Sequence, residues 1–454
     1  TQGGPSGSTS TIAYQTTLGR WAVVGLIMVG MVFSLVDRQI IALLVDPVKN
    51  DLGLSDTQFS LLIGPAFVVF YITFGFPFGL LADRIQRRHV IALGVAVWSV
   101  ATVACGLAGS FFALAAARAL VGAGEASLMP SSMSIMSDLF SRERLPFVTS
   151  IFSVSIHIGG ALAMLIGGAI LSVFDGVQTV STPLFGDLAP WQLAFVLVGL
   201  PGLILAVVFL IIPEPQRKMS SAQSAADQID QSELVAFIKR NRRTISAQFG
   251  VAALLTIGTY AFMSWTPAYL IRAQGLSSGE AALLIGVIML VCGPAGTVGG
   301  GALSTWLMKK KNRVDAPWIV MMLGAAGSGV MGVLAYASPI QTLSIACLAI
   351  AILCGSLYIG VVHAALQLIT PGRLRGRMAA IMLIVMTGIG ATSGPVLVAL
   401  ITDYLFADPK MVGFSIAIIV ALVGVLVCLL LGRNLASYRE SYQRIDQSGD
   451  AAAL

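Results

Sequence analysis

Twelve apolar segments, each longer than twenty residues, divide this sequence: 19–46, 57–82, 88–109, 111–139, 147–173, 191–212, 244–271, 279–308, 317–337, 340–369, 376–404 and 411–432. About 20 apolar residues cross a hydrocarbon core of roughly 30 Å as a helix. In lipid every backbone polar group needs an internal partner, which segments of this length meet as helices. Only 11% of the residues are charged, against about 25% in soluble domains, so soluble units are excluded. The fold class expected is an all-α polytopic membrane protein with twelve transmembrane helices in two pseudo-symmetric six-helix bundles.

The charges encode topology. If the spans alternate in direction, all of the 27 Lys and Arg residues fall on the side of the termini and the central linker, except five. Lys49, Arg272 and Lys410 lie on the other face, and Arg38 and Arg118 lie within the membrane. Positive residues mark the cytoplasmic side, so both termini are expected there, in a cell (inner) membrane. The net charge of +6 is then a topological bias, and no nucleic-acid partner is expected. Five cysteines, Cys105, Cys292, Cys347, Cys354 and Cys428, stand in apolar stretches without paired spacing and read as packing residues.

The expected domains are a disordered tail (1–18), an N-terminal six-helix bundle (19–213), a cytoplasmic linker with an interfacial helix (214–243), a C-terminal six-helix bundle (244–433) and a cytoplasmic tail (434–454). In the linker, Ser232 is placed to cap a helix in which Leu234, Val235, Phe237 and Ile238 stand beside the basic run of Lys239, Arg240, Arg242 and Arg243, a pattern suited to an anionic membrane surface. One internal repeat is visible. GLLADRIQRR (Gly79 to Arg88) follows span two and GALSTWLMKK (Gly301 to Lys310) follows span eight, with Thr305 in the position of Asp83.

These features resemble the major facilitator superfamily over essentially the whole chain. The family's GxxxDRxGRR pattern is met by Gly79, Asp83, Arg84, Arg87 and Arg88, with Gln86 replacing a glycine. RxxxGxG is met by Arg118, Gly122 and Gly124, and Gly394-Pro395 stands in span eleven. Asp37 and Arg38, the DLGLSD loop and the stretch from GEAS to DLF, which contains Asp138, are similar to the Spinster group of proton-coupled lysolipid and sphingoid carriers. Hexuronate and other organic-anion symporters share much of this. The resemblance implies a cytoplasmic gate of Gly79, Asp83, Arg84, Arg87, Arg88, Asp138, Arg375 and Arg377, in which Asp83 meets the positive N-terminus of span eleven.

No phosphate-binding loop, GxSxG elbow or HExxH pair occurs. The chain is therefore not expected to be an enzyme, and no cofactor or metal is expected. A secondary transporter needs a gradient, and ionisable groups in mid-membrane are where one is read. Counting about 1.5 Å of rise per residue, Asp37 lies roughly 15 Å from the outer end of span one, between Arg118 at roughly 12 Å and Glu125 at roughly 22 Å in span four. Arg118 and Glu125 share a helix face with Gly122 as a notch between them. A buried cluster of Asp37, Arg118 and Glu125 is expected to take up and release a proton. Arg38, about 100° around the helix from Asp37, either holds a substrate anion or pairs with Glu125.

Substrate contacts are expected from Arg38, Arg118, Glu125, His157, Tyr260, Trp265, Tyr358 and His363. All four Asn residues, at 50, 241, 312 and 434, lie outside the span interiors, which disfavours a polyol. A charged first half and an apolar, aromatic second half suit an amphiphile. The expected function is proton-coupled transport of a lysophospholipid or sphingoid-type amphiphile by alternating access. The expected partners are protons, that substrate and membrane lipids, with the chain a monomer. The alternative is a proton-coupled symporter of small organic anions, and an uncoupled lipid conduit is the third class.

Overall fold

The computed structural model describes residues 16–141, 144–174, 176–212, 214–215 and 231–447. Residues 1–15 of the expected N-terminal tail, half of the expected linker (216–230) and the last residues (448–454) lie outside this set. Two compact units divide the chain: 1–219 with 277–286, and 220–276 with 287–454.

In the first unit, α1 (Thr17–Gln39) ends in a tight turn and is followed by α2 (Val45–Leu52). The second span is split into α3 (Asp56–Ile63) and α4 (Pro65–Arg84). Pro65 has no N–H to continue the ladder and opens a new helix instead. Next come α5 (Arg87–Gly106) and α6 (Phe111–Glu125), whose connection is tight as expected, Ser110 capping α6 by accepting from Ala113 N at 3.3 Å. The fourth span was expected to be continuous but breaks after Glu125, and resumes as α7 (Leu128–Leu139). Pro130 removes the donor that Ala126 would need. Then follow α8 (Leu145–Val173), a hairpin of β1 (Val180–Thr182) and β2 (Gly186–Leu188) in register Val180↔Leu188, and α9 (Pro190–Ile211). Within this unit α1 packs on α8, α6 on α4 and α5, and α5 on α9.

The second unit begins with α10 (Gln231–Arg240), which starts one residue early enough that Ser232 lies inside it. It continues with α11 (Arg242–Arg272), the part of α12 (Ser278–Lys311) that follows Gly286, α13 (Ala316–Ala337), α14 (Gln341–Ser356), α15 (Val362–Leu368), α16 (Arg375–Val385), α17 (Thr392–Leu400) and α18 (Val412–Gln447). Wide turns at Met386–Ala391 and Ile401–Phe406 flank α17. Here α11 packs on α17 and α18, and α13 on α18. Span seven thus lies on span eleven as span one lies on span five, and span nine on span twelve as span three lies on span six. The duplicated halves share one packing scheme.

Among the described residues, eleven stretches are long and apolar enough to cross a membrane, and the shorter apolar helix Gln341–Ser356 supplies the tenth in order. Side chains such as Phe112 (81% exposed) and Ile204 (70%) present apolar surface that water would not tolerate in such quantity. The expected span at 340–369 is interrupted: Ile359 N and Val361 N bond to the carbonyls three residues back, Ser356 O and Tyr358 O. The cause is a close backbone crossing. A side chain on Gly300 would strike the Leu357 carbonyl, and one on Gly360 would strike the Thr297 carbonyl, the small-residue contact that membrane helices favour.

The short α15 is held by neighbours. Gln248 Nε2 donates to Val362 O at 2.9 Å, and Tyr438 Oη donates to Ala365 O at 3.0 Å. Tyr438 lies on α18, which runs beyond the apolar segment 411–432 as far as Gln447. The buried Asp315 carboxylate accepts from Arg439 at 2.6 and 3.0 Å and from Arg313 at 3.0 and 3.2 Å. Burial pushes the Asp315 carboxyl up, but hydrogen bonds and charge from the two arginines outweigh it and leave the group below its ordinary range. Its contribution to stability is therefore full above the ordinary carboxylate pKa and is lost as pH falls through the lowered value.

Candidate functional site

The last turn of α1 carries Ser34, Asp37 and Arg38. Ser34 and Arg38, four residues apart, share a face and both reach Glu125 at the end of α6: Arg38 Nη2 donates to Oε2 at 2.6 Å and Ser34 Oγ at 2.7 Å. Asp37 faces α5, where Thr102 Oγ1 donates to its Oδ2 at 3.1 Å. Asp37, Arg118 and Glu125 are each no more than 2% exposed. Asp37 Oδ1, Glu125 Oε1 and Arg118 Nη2 have no hydrogen-bond partner among the described residues.

The expected cluster differs in its wiring. Arg118 does not bond to Glu125, because seven residues along one helix separate them by about 10 Å of rise. Instead Arg118 donates to main-chain carbonyls, Nη1 to Asp37 O at 3.2 Å and Nε to Leu62 O at 3.4 Å. Carbonyls at a helix end have lost their intrahelical donors, and Asp37 lies in such a turn. The Gly122 notch is filled by backbone and not by a side chain: a Cβ there would strike the Phe67 carbonyl. That approach seats the Phe67 ring 4.5 Å from the Arg38 guanidinium carbon and 5.3 Å from that of Arg118, with Tyr71 5.0 Å from Arg38. The aromatic face stabilises both cations.

Arg87, expected in a gate, is 1% exposed and ties three segments of the first unit together. Nε donates to Glu214 at 2.8 Å, Nη1 to Ser134 at 2.9 Å and to Asp138, and Nη2 to Pro215 O at 2.9 Å. Arg88 N and Nη1 bond to Glu214 and to Ile212 O. Glu214 was not singled out from the sequence, although an acid just past a span and near a basic motif was a readable signal. Gly79 is half-buried and Arg84 exposed at the end of α4, while the Asp83 side chain lies outside the described residues. Arg375 opens α16 with Nε on Thr370 O at 3.2 Å, and Arg377 is half-buried on the same helix.

Residues 27–319 match the Major Facilitator Superfamily. The chain belongs to this superfamily. An MFS-type efflux pump of Mycolicibacterium smegmatis is 26% identical over 92% of this facilitator and 93% of its own length. The probable galactarate/D-glucarate transporter GudP of Bacillus subtilis is 29% identical over 66% of this chain and 68% of its own. Among solved structures, a bacterial homologue of the human lysosomal transporter Spinster, captured inward-facing and unoccupied, superimposes with a TM-score of 0.76 at 25% identity, covering 94% of this chain and 98% of that one.

In this facilitator the expected contact residues of the second half separate into two groups. Trp265 is fully buried, its Nε1 donating to Pro395 O at 2.9 Å, and Tyr358, at the break before α15, is 5% exposed with its hydroxyl 3.0 Å from that of Thr259. Both are buried and have committed polar atoms. Tyr260 is half-buried and His363 exposed, and in the first unit His157 is half-buried on α8. Trp265→Phe keeps the ring and strands the Pro395 carbonyl, so thermal unfolding should show a loss of about 1–3 kcal/mol with ligand affinity unchanged. A loss of affinity without loss of stability would return Trp265 to the binding surface.

Proposed function

We propose that this facilitator is a proton-coupled secondary active transporter that moves a lysophospholipid or sphingoid-type amphiphile by alternating access. One observation carries the reading: two buried carboxylates, Asp37 and Glu125, each leave an oxygen without a partner, and one guanidinium, Arg38, bonds to only one of them. Uncompensated buried charge is costly. A proton on Glu125 cancels the charge that holds Arg38 and frees the guanidinium for an anionic headgroup. Proton uptake and anion binding are then linked, each favouring the other by the same factor. Asp37, whose carboxylate accepts from Thr102, is the second proton-accepting group.

The test is uptake into proteoliposomes under an imposed pH gradient, with a panel of lysolipids and small carboxylates. Gradient-driven accumulation of lysolipid supports the reading, and transport indifferent to pH abolishes it. The Arg38 fork, already on a carboxylate, also suits a short organic acid, as does the likeness to a galactarate/D-glucarate transporter. Full competition by such an acid would favour an organic-anion symporter.

The charge bias assigns both termini to the cytoplasmic face of the cell membrane. Single cysteines at Thr182 and Gln223, tested in otherwise cysteine-free protein in intact cells, should be labelled and protected respectively. The opposite pattern inverts the orientation.

A further inference from the structure

Helix α4 is aromatic on one side. At 100° per residue Phe67, Phe70, Tyr71, Phe74 and Phe78 fall in one sector about 100° wide, over about 16 Å of rise. The rings run in contact, Phe67 with Tyr71 at 5.6 Å, Phe70 with Phe74 at 6.4 Å and Phe74 with Phe78 at 6.4 Å. One end of the stripe is charged, since the Arg38 guanidinium lies over both Phe67 and Tyr71. Beyond it Phe70 is 41% and Phe74 39% exposed, Phe78 is half-buried, and a side chain on Gly75, at the flank, would meet nothing within 4 Å.

We propose that Phe70, Phe74 and Phe78 form the track for the hydrocarbon tail of a single-chain anionic amphiphile whose headgroup is taken by Arg38. The proposal rests on the lipid reading above and locates the tail. Packing aromatics would be covered, and a stripe serving only the bilayer would need no cation at its head. Here an apolar wall on α4 starts directly beside a guanidinium that α1 supplies. A short carboxylate would use the cation and leave the wall bare.

The experiment measures binding of lysophospholipids with lauroyl, myristoyl and palmitoyl tails to purified full-length protein, as wild type, as Phe74→Leu and as Phe70→Ala/Phe74→Ala. Each added methylene should strengthen wild-type binding about fourfold until the track is filled. In the double alanine variant that increment should fall to roughly twofold or less, while Phe74→Leu, which keeps apolar bulk, retains most of it. A wild type indifferent to tail length overturns the lipid reading itself. A wild-type increment preserved in the double variant overturns the track alone. A photoreactive tail gives an independent readout: its label should map to 67–78 and be competed by unlabelled lysolipid. Label there that resists competition would assign the stripe to bulk bilayer lipid and overturn the track.

Discussion

Transport by Glu125→Gln is expected to lose its response to an imposed pH gradient while the protein remains folded and binds its anionic ligand more tightly. Glutamine keeps the shape, and its amide oxygen can accept from Ser34 and Arg38 as Oε2 does at 2.7 and 2.6 Å. What it removes is the negative charge. Arg38 then no longer has the Glu125 charge to hold it, and coupling of linked sites is typically 1–3 kcal/mol, so ligand affinity should rise about fivefold or more. Arg38→Met should do the reverse, leaving Glu125 as an unpaired buried charge and costing about 3–5 kcal/mol. In the double variant most of that loss should be recovered, a coupling that a double-mutant cycle reads directly. Thermal unfolding and pH-dependent flux in proteoliposomes check both. Gradient-driven accumulation unchanged in Glu125→Gln would move the coupling site elsewhere.

Arg87→Ala should be the most damaging change outside the charged cluster. The guanidinium is 1% exposed and serves Glu214, Asp138, Ser134 and Pro215 O together, so its removal takes the shared cation from two poorly hydrated carboxylates. The loss expected in detergent unfolding is about 3–5 kcal/mol. Lysine should restore only part, because one ammonium cannot present a planar fork to four acceptors. Adding Asp138→Asn and Glu214→Gln to the alanine variant should recover stability by removing the stranded charges. A melting point within the error of wild type for Arg87→Ala would show that the network is solvated.

The fold was legible because lipid makes length and hydropathy nearly sufficient: a run of twenty apolar residues has one low-energy form. Positions of acids and arginines were legible in depth, since rise per residue is fixed, and that brought Asp37, Arg118 and Glu125 to neighbouring levels. Their pairing was not, because it depends on how two helices face each other. The choice of Arg38 over Arg118 for Glu125 follows from the rise of about 10 Å that separates Arg118 from Glu125 along α6, while Arg38 reaches Glu125 from α1. Pro130 and Pro65 announced breaks that a hydropathy window averages away. The interruption at 357–361 had no such herald, since its cause is the backbone of α12 at Thr297 and Gly300. Likewise, charge at Arg433 ends a membrane span but not a helix, and the spacing of Tyr438, Ser441 and Ile445 carries α18 onward as a buried face.

That extension of α18 sets a schedule for biosynthesis. Trp318 stacks on Tyr438 at 4.6 Å and donates to Gln248 at 2.7 Å, and Asp315 awaits Arg439. Gln248, Asp315 and Trp318 are all translated more than a hundred residues before their last partners. A ribosome that has inserted spans seven to eleven still leaves Asp315 and Trp318 incomplete, and α15 lacks the tyrosine hydroxyl that satisfies Ala365. Closure of the second unit must therefore wait until synthesis passes Ile445, whereas the first unit, folding earlier as nascent domains do, carries its own fastening in Arg87 and Glu214.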